Sequence, residues 1–319
     1  MEKYENEVIE TLYIGGGTPS SLDREDLEKL FEIVKLLNLN SLVEFTFECN
    51  LDDINEELLL YLKDNGVNRL SIGIQSFNAS KLKFMGRDHS FIEATNAINL
   101  ARRSGFDNIN LDLIYGIPGE TLRDLKEDIN LFIKLNPEHI STYSLMYEDN
   151  TIISLNNYEV VDDVLDAKMY EAIIKMLGKK EYGHYEVSNF SKLGMMSKHN
   201  LTYWDNNEYY GFGLGAHGYV HGVRYENTRS LTNYLKRNFV LKQNILSKQE
   251  IMENELMLGL RKVEGISLAV FYKKFKVNMQ EVFPIELLVR RGDLIFNDGY
   301  IKINSRKMYV MNDILIKLL

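Results

Sequence analysis

The sequence has little cysteine, no excess of positive charge and no long apolar run, and each shortage excludes a class of protein. Cys49 is the only cysteine among 319 residues. This excludes an internal disulfide framework and a self-contained iron–sulfur site, because such clusters take several thiolates from the chain. No stretch approaches the roughly 18 apolar residues of a membrane span, and Met1–Glu10 is too acidic and polar for a signal peptide. The cytoplasm is therefore the expected compartment.

The charge balance is acidic throughout. There are 37 basic and 46 acidic residues, a formal net charge of -9 and a pI near 5.3. No block rich in Lys or Arg interrupts this background, so nucleic acid is not an expected partner. The chain is 45% hydrophobic and 26% charged, which is the composition of a soluble globular protein. Its length allows one large domain, or a large one plus a small one.

Strand-like runs alternate with amphipathic segments along the first half of the chain. Strand starts recur about every 30 residues, the length of a strand plus a crossover helix, which favours a parallel sheet or barrel with helices outside. A flat doubly wound sheet stays open as the alternative. Capping boxes at Ser90-x-x-Glu93 and Asp53-x-x-Glu56 predict two of the helix starts. The predicted strands are Thr11–Ile14, Val43–Cys49, Arg69–Gln75, Asn108–Tyr115 and His139–Met146.

The pattern changes after residue 155. A long helix at about Val161–Lys180 precedes an extended stretch, Tyr182–Phe190, and then a loop rich in Gly, Asn and aromatic residues. From about Ser247 the order is helix, short helix and a terminal pair of strands around Asp298-Gly299. We therefore expect a main domain at residues 1–244 and a small α+β domain at residues 245–319.

Polar residues follow the strands at the ends where a parallel barrel carries its chemistry. The first strand leads into Gly15-Gly16-Gly17-Thr18-Pro19, and three consecutive glycines let a ligand approach the backbone. The glycines alone are more simply a tight turn, but the matching polar strand ends favour a ligand site. The other polar strand-end residues are Glu48, Gln75 and Asp112, with Arg87 in the loop after the third strand.

These side chains also have plain structural interpretations. Glu48 and Asp112 are each as readily buried, hydrogen-bonded carboxylates as ligand contacts. Gln75 alone says little, and Arg87 alone is most simply a surface arginine.

The chain contains, in this order, the segments YIGGGTPSSL, FTFECN, RLSIGIQSFN, MGRDHS, INLDLIYGIPGET, HISTYSL, HYEVSNF, HNLTYW and GFGLGAHGY. In order and spacing they resemble the radical S-adenosylmethionine (radical SAM) family that contains HemW and the coproporphyrinogen oxidase HemN. The resemblance implies an α/β fold: a partial TIM-like (β/α)6 barrel missing its first strand, followed by a small C-terminal α+β winged-helix-like domain. It also implies that Gly16, Gly17 and Thr18 hold the methionine part of S-adenosylmethionine. Glu48, Gln75, Arg87 and Asp112 match positions that contact the rest of that cofactor.

HNLTYW, residues 199–204, resembles the motif linked to heme binding in HemW proteins. The resemblance implies that His199 is an axial ligand of heme iron and that Tyr203 and Trp204 pack on the porphyrin. A neutral imidazole suits heme iron. The alternative is a histidine held in a loop by hydrogen bonds, with the two aromatics closing one end of the barrel. His217 is a second ligand candidate.

The sequence departs from the family at its start. Relatives begin with a C-x-x-x-C-x-x-C segment whose thiolates hold a 4Fe-4S cluster, and no such segment is present here. Cys49 cannot replace it, since one thiolate does not hold a cluster. We therefore expect the chain as written to be inert as a radical enzyme.

Three functions remain open from the sequence. The first is a heme chaperone of the HemW type that delivers heme to acceptors such as cytochromes. The second is an oxygen-independent coproporphyrinogen III oxidase, and the third is an inactive truncated copy. HNLTYW favours the heme chaperone. The cysteine pattern that separates chaperone from oxidase belongs to the segment that this sequence does not contain.

Overall fold

The computed structural model describes residues 8–145 and 161–318. They form two compact units. The first has the bounds Met1–His184 and Ser188–His199, and the second has the bounds Tyr185–Val187 and Asn200–Leu319. The predicted domain boundary at residues 244 and 245 stays a prediction.

Strands and helices alternate along the first unit, as the sequence pattern predicts. Its strands are β1 (Thr11–Ile14), β2 (Glu44–Asn50), β3 (Arg69–Gln75), β4 (Ile109–Tyr115), β5 (His139–Ser144), β6 (Gly183–Glu186) and β7 (Asn189–Ser191), of which β6 has its last two residues in the second unit. Its helices are α1 (Arg24–Val34), α2 (Glu56–Asp64), α3 (Ala79–Phe84), α4 (Phe91–Arg103), α5 (Leu122–Leu135) and α6 (Asp163–Gly178). A further helix, α7 (Lys198–Trp204), has residues in both units.

The seven strands form one curled sheet in the order β1-β2-β3-β4-β5-β7-β6. The first five are parallel, and β7 runs antiparallel to β5. The predicted partial barrel is confirmed, and the flat doubly wound alternative is wrong. Parallel strands joined by crossover helices bring all their carboxyl ends to one edge, which is where a site is expected.

One face of the sheet is apolar and covered by helices. Phe31 of α1 packs on Phe45 and Phe47 of β2, with ring centroids 5.9 and 6.2 Å apart. Across the sheet, Phe47 pairs in register with Leu70, and Leu70 pairs with Ile109. All of these side chains are at most 1% exposed. Their burial supplies the hydrophobic stabilisation of this unit.

The opposite face, here called the polar face, carries the alternate residues of the same strands. Its residues also pair in register, so they form cross-sheet rows instead of isolated polar positions. The first row is Tyr13, Thr46 and Arg69; the second is Glu48, Ser71, Asn110 and His139; the third is Asn50, Gly73, Asp112 and Ser141.

Several predicted boundaries need correction. Asp53 does not begin α2: Asn55 is its N-cap and accepts the amide of Leu58, while Asp53 ends a short 3-10 turn and accepts the hydroxyl of Ser20. The second strand is displaced by one residue, to Glu44–Asn50. The end of the fifth predicted strand, Met146, lies outside the described residues. The capping box at Ser90 and Glu93 is confirmed.

The second unit contains two three-stranded antiparallel sheets. The predicted terminal hairpin turns at Asp298 and Gly299, as expected. Of the helices among residues 8–145 and 161–318, none has the length and apolarity that crossing a membrane requires. The strands are β8 (His217–Val220), β9 (Val223–Asn227), β10 (Val240–Ile245), β11 (Ile266–Ser267), β12 (Leu294–Asn297) and β13 (Tyr300–Ile303). The helices are α8 (Leu231–Leu235), α9 (Lys248–Gly259), α10 (Leu268–Phe275), α11 (Met279–Val282), α12 (Ile285–Arg290) and α13 (Met311–Leu315).

Candidate cofactor site

The glycine turn after β1 lies directly against Glu48. A Cβ on Gly15 would stand 2.4 Å from the carboxyl carbon of Glu48, so any larger residue there would displace that carboxyl group. The amide of Gly16 donates to Glu48 Oε2 at 3.1 Å. A Cβ on Gly16 or Gly17 would meet no atom within 4 Å. The turn therefore contacts Glu48 on one side and leaves open space on the other.

Tyr13 holds the Glu48 side chain in place through a hydrogen bond. The Tyr13 hydroxyl donates to Glu48 Oε1 at 2.6 Å. Burial raises the pKa of Tyr13 well above its ordinary value, and the charge of Glu48 raises it further. The phenol therefore keeps its proton and remains a donor. Both carboxylate oxygens of Glu48 have a fixed partner, which orients the group at the end of β2.

Gln75 and Arg87 converge on Gly73. Gln75 has a φ of 65° at the point where the β3–β4 register shifts. A Cβ on Gly73 would stand 2.8 Å from Gln75 Nε2. Arg87 donates to the Gly73 carbonyl at 3.1 Å and to Asn50 Oδ1 at 2.8 Å. The Oε1 atom of Gln75 is buried and has no hydrogen-bond partner among the described residues. A buried amide oxygen in that state is a candidate ligand contact.

Asp112 lies beside Gly73 in the third row of the polar face. Asn110 Nδ2 donates to Asp112 Oδ1 at 2.9 Å. The pKa of Asp112 is raised to about 6, first by burial and then by the charge of Glu48, whereas hydrogen bonds from Asn110 and Ser141 lower it. The carboxyl group is therefore mostly ionised at neutral pH and becomes neutral in mild acid. Near neutral pH, Glu48 and Asp112 together present negative charge to this end of the sheet.

The histidine of HNLTYW lies near the start of a helix, which corrects the expectation of a loop. Glu44 of β2 is 3% exposed and receives three hydrogen bonds from the start of α7. The Ser197 hydroxyl donates at 3.1 Å, the Lys198 amide at 2.8 Å and the His199 amide at 2.9 Å. This buried carboxylate satisfies amides that the helix itself cannot bond.

The His199 side chain contacts β1. Its Nδ1 is 2.9 Å from Thr11 Oγ1, and its ring stacks on Tyr13 with centroids 5.2 Å apart and planes inclined by 23°. Burial lowers the pKa of His199 to about 4, despite the opposing charge of Glu44. The imidazole is therefore neutral at physiological pH.

Tyr203 and Trp204 belong to the second unit. The Tyr203 ring meets Tyr209 edge to face with centroids 4.6 Å apart, and burial raises the pKa of Tyr203 to about 12. The Arg261 guanidinium lies 5.7 Å from the centre of the Trp204 ring. The indole Nε1 is buried without an acceptor among the described residues.

Comparison with known proteins identifies the family to which the chain belongs. The Radical SAM superfamily profile matches residues 1–132, and the HemN C-terminal domain profile matches residues 246–310. The protein named Heme chaperone HemW from Lactococcus lactis is 40% identical over 307 residues, covering 93% of this chain and 81% of that protein. Heme chaperone HemW from Bacillus subtilis is 39% identical, covering 91% of this chain and 79% of that protein. The chain belongs to the HemW family.

A solved structure agrees on the fold. Coproporphyrinogen III oxidase (HemN) from Escherichia coli, described as a radical SAM enzyme, superposes with a TM-score of 0.84 over 98% of this chain and 78% of its own. The two are 17% identical, so this match shows the fold alone. The predicted family and the predicted architecture are both confirmed.

In this HemW-family chain the described residues do not suit a 4Fe-4S cluster. Cys49 points to the helix-covered face of the sheet, opposite Glu48, and burial raises the pKa of its thiol to about 12. A buried, protonated thiol is a poor metal ligand. Within residues 8–145 and 161–318, no group of three His, Cys, Asp or Glu side chains is arranged to hold a metal ion.

The sequence analysis did not name Thr11, Tyr13 or Glu44 as candidates for this site. The signal for Tyr13 and Glu44 was present. Because alternate residues of a strand share a face, Glu44 must lie on the same face of β2 as Glu48. Tyr13 is a polar residue two positions before Gly15, in the strand that leads into the glycine turn. The contacts of Thr11 and Glu44 with residues about 150 positions or more further along depend on the tertiary fold.

Proposed function

We propose that this chain binds heme and passes it to acceptor proteins such as cytochromes, as a heme chaperone of the HemW type. Its membership of a family whose curated relatives carry the name heme chaperone supports the proposal. The single structural observation that carries it is the state of His199. This side chain of the heme-linked motif is a neutral imidazole with one nitrogen already engaged.

That state suits an iron ligand. Coordination needs the neutral imidazole, and ligating histidines generally use their other ring nitrogen in a hydrogen bond that fixes the ring. Thr11 Oγ1 provides such a partner for Nδ1. Tyr203 and Trp204 are proposed as aromatic contacts for the porphyrin.

We also propose that the polar face binds S-adenosylmethionine. Gly16, Gly17 and Thr18 would hold its methionine part beside the open side of the turn, and Glu48 and Asp112 would offset its positive charge. Gln75 and Arg87 would contact the remainder, and the orphaned amide oxygen of Gln75 fits that role. S-adenosylmethionine supplies a sulfonium centre when bound. Glu48 orients the ligand and Asp112 adds a charge that depends on pH.

Hemin titration tests the heme proposal. Adding hemin to the purified chain should give a saturable Soret shift with one heme per chain. Protoporphyrin IX, which has the same ring but no iron, is the control for apolar adsorption and should bind more weakly. Equal, unsaturable uptake of both compounds would show adsorption only and would contradict the proposal.

A second candidate, the coproporphyrinogen III oxidase, is favoured only by the fold shared with HemN. Incubation with coproporphyrinogen III and S-adenosylmethionine under reducing, anaerobic conditions tests this second candidate. The chaperone proposal predicts no decarboxylated porphyrin, and formation of protoporphyrinogen would favour the oxidase.

A further inference from the structure

Arg69 is a buried arginine on the polar face, and its guanidinium has almost no partner. The residue is 2% exposed, and its one hydrogen bond is a long contact from Nη1 to Thr46 Oγ1, at 3.4 Å. Its Nε is buried without an acceptor, and the group forms no ion pair within the part of the chain that the structure describes. A guanidinium carries five N–H donors, so burial in this state lowers stability.

Lys81, another buried cation of the same unit, is compensated by direct contact. Its Nζ lies 2.5 Å from Glu120 and 2.8 Å from Asp128. The carboxylates of that cluster are therefore engaged by the cation itself. Arg69 lies on the face that carries Glu48 and Asp112 but contacts neither carboxylate. A buried charge that the fold leaves uncontacted beside a candidate site is a candidate for function.

Asp112 takes its hydrogen bonds from neutral groups, those of Asn110 and Ser141. Burial and the charge of Glu48 raise the pKa of Asp112, whereas the charge of Arg69 lowers it. A carboxylate in direct contact with an arginine would offer less charge to a cationic ligand, and a buried one with no cation nearby would take up a proton. A cation that acts from a distance avoids both effects.

We propose that Arg69 is a positioning residue of the S-adenosylmethionine site, which keeps Asp112 anionic from a distance and leaves its oxygens to the cationic ligand. The inference rests on the proposed function, since the ligand comes from it. Arg69 does not itself touch the ligand.

The other groups around Asp112 and Arg69 do not replace this charge. Glu48, on β2, is negative. Arg87, in the loop after β3, donates to the carbonyl of Gly73, the residue paired with Asp112. Burial raises the pKa of the tyrosine on β1 and lowers the pKa of the two histidines, so all three side chains are neutral at physiological pH. They are Tyr13, His139 and His199.

Calorimetric titration of S-adenosylmethionine from about pH 6 to about pH 8.5 tests the role of the charge. In Arg69→Met, Asp112 should take up its proton at a higher pH than in the natural chain. At about pH 6.5 we therefore expect the affinity of the variant to be at least about threefold lower. By about pH 8.5 the variant should bind as well as the natural chain or better, because the charge of Arg69 no longer opposes the cationic ligand.

This dependence on pH separates a role of the charge from a merely structural one. A structural defect would lower the affinity by the same factor at every pH, and that result would overturn the proposal. The ratio of the two affinities at each pH also removes the ligand's own titration. Arg69→Lys keeps the charge and should restore the natural profile. Should Arg69→Met not fold, Arg69→Gln removes the charge and keeps a donor for Thr46, with the same expected profile.

Arg102→Met is the matched control. Arg102 is an ion-paired arginine on α4, and its Nη1 lies 2.9 Å from Glu138. Its loss should lower stability but leave the ratio of affinities near one at every pH. The same pH-dependent loss in Arg102→Met would overturn the assignment to Arg69.

A measurement without the ligand separates this inference from the function on which it rests. The carboxyl carbon resonance of Asp112, assigned by its loss in Asp112→Asn, should titrate at a higher pH in Arg69→Met than in the natural chain. If the natural chain binds S-adenosylmethionine but this midpoint and the binding profile are the same in Arg69→Met, the inference is wrong and the proposed function stands. If the natural chain binds no S-adenosylmethionine, the proposed site fails and the inference fails with it, whatever the midpoint shows.

Discussion

Asp112 changes charge close to neutral pH, so its protonation can be followed in a binding experiment. Its pKa is raised to about 6, with burial as the main cause. The carboxyl group is therefore anionic above that pH and neutral below it. A cationic ligand on the polar face should bind more weakly as the pH falls through that range.

We therefore predict that S-adenosylmethionine affinity decreases several-fold from about pH 7 to about pH 5, a range in which the ligand's own groups change charge little. Equilibrium dialysis at constant ionic strength measures the change. In Asp112→Asn the affinity should be lower at neutral pH and nearly independent of pH over the same range. A natural chain with equal affinity at both ends would contradict the assignment of Asp112 to the site.

Gly15 provides a second test at the residue scale. In Gly15→Ala the new methyl group would stand 2.4 Å from the Glu48 carboxyl carbon and would displace it from the Gly16 amide. Since the far end of a side chain can move, we expect the fold to survive and S-adenosylmethionine affinity to fall by about tenfold, the loss of one hydrogen bond to a charged group.

Gly178→Ala is the control for the Gly15 substitution. A Cβ at Gly178 meets no atom within 4 Å, and the residue ends α6 away from the polar face. It should leave the affinity unchanged. If Gly15→Ala also bound the ligand normally, the contact between the turn and Glu48 would have no part in binding.

At the scale of elements, a buried ion cluster joins the loops that follow β3 and β4. Lys81 Nζ lies 2.5 Å from Glu120 and 2.8 Å from Asp128, and all three side chains are at most 4% exposed. Asp128 also accepts the amide of Phe77, and Glu120 accepts the amide of Ile117. The cluster therefore fixes the two loops that begin at the ends of β3 and β4.

Removing the cation should leave two buried carboxylates without compensation. We predict that Lys81→Met lowers the free energy of unfolding by about 3–5 kcal/mol, the usual cost of breaking a buried ion pair on one side. Urea denaturation measures it. Lys29→Met is the control, because Lys29 makes exposed pairs on α1 and should cost less than about 1 kcal/mol. Equal effects in the two variants would contradict a structural role for the cluster.

The attachment of α7 to β2 is a second feature at this scale. Glu44→Ala removes three hydrogen bonds that the carboxylate receives from residues 197–199. We predict a loss of about 2–4 kcal/mol in unfolding free energy together with weaker hemin binding, because His199 loses its backbone support. Glu44→Gln keeps one oxygen acceptor and should lose less of both. Normal hemin binding by Glu44→Ala would show that the attachment of α7 to β2 has no part in heme binding.

For the whole molecule, the sequence predicts the order of elements better than the contacts between them. The sequence predicts β1 and β3 to the residue because β-branched and apolar residues bounded by turns mark a strand. The α2 start was wrong because Asn55 and Asp53 are both good caps, and only the fold decides which one meets a free amide.

For the candidate site, too, the sequence predicts the residues better than the contacts between them. Glu48, Gln75, Arg87 and Asp112 could be named from strand ends and family resemblance. Local pattern does not show that Tyr13 joins Glu48 to His199, since residues 13 and 199 meet only through tertiary packing. Asp112 could be proposed as a contact, but its raised pKa depends on burial that only the structure gives.

Hemin titration of His199→Ala beside His217→Ala, followed through the Soret band, tests the central claim most directly. His217 is the other candidate ligand, and it lies exposed in β8. The account predicts that His199→Ala loses or shifts the Soret band of the complex and binds hemin at least about tenfold more weakly, while His217→Ala behaves like the natural chain. An unchanged spectrum in His199→Ala, or loss of the band in His217→Ala alone, would contradict it.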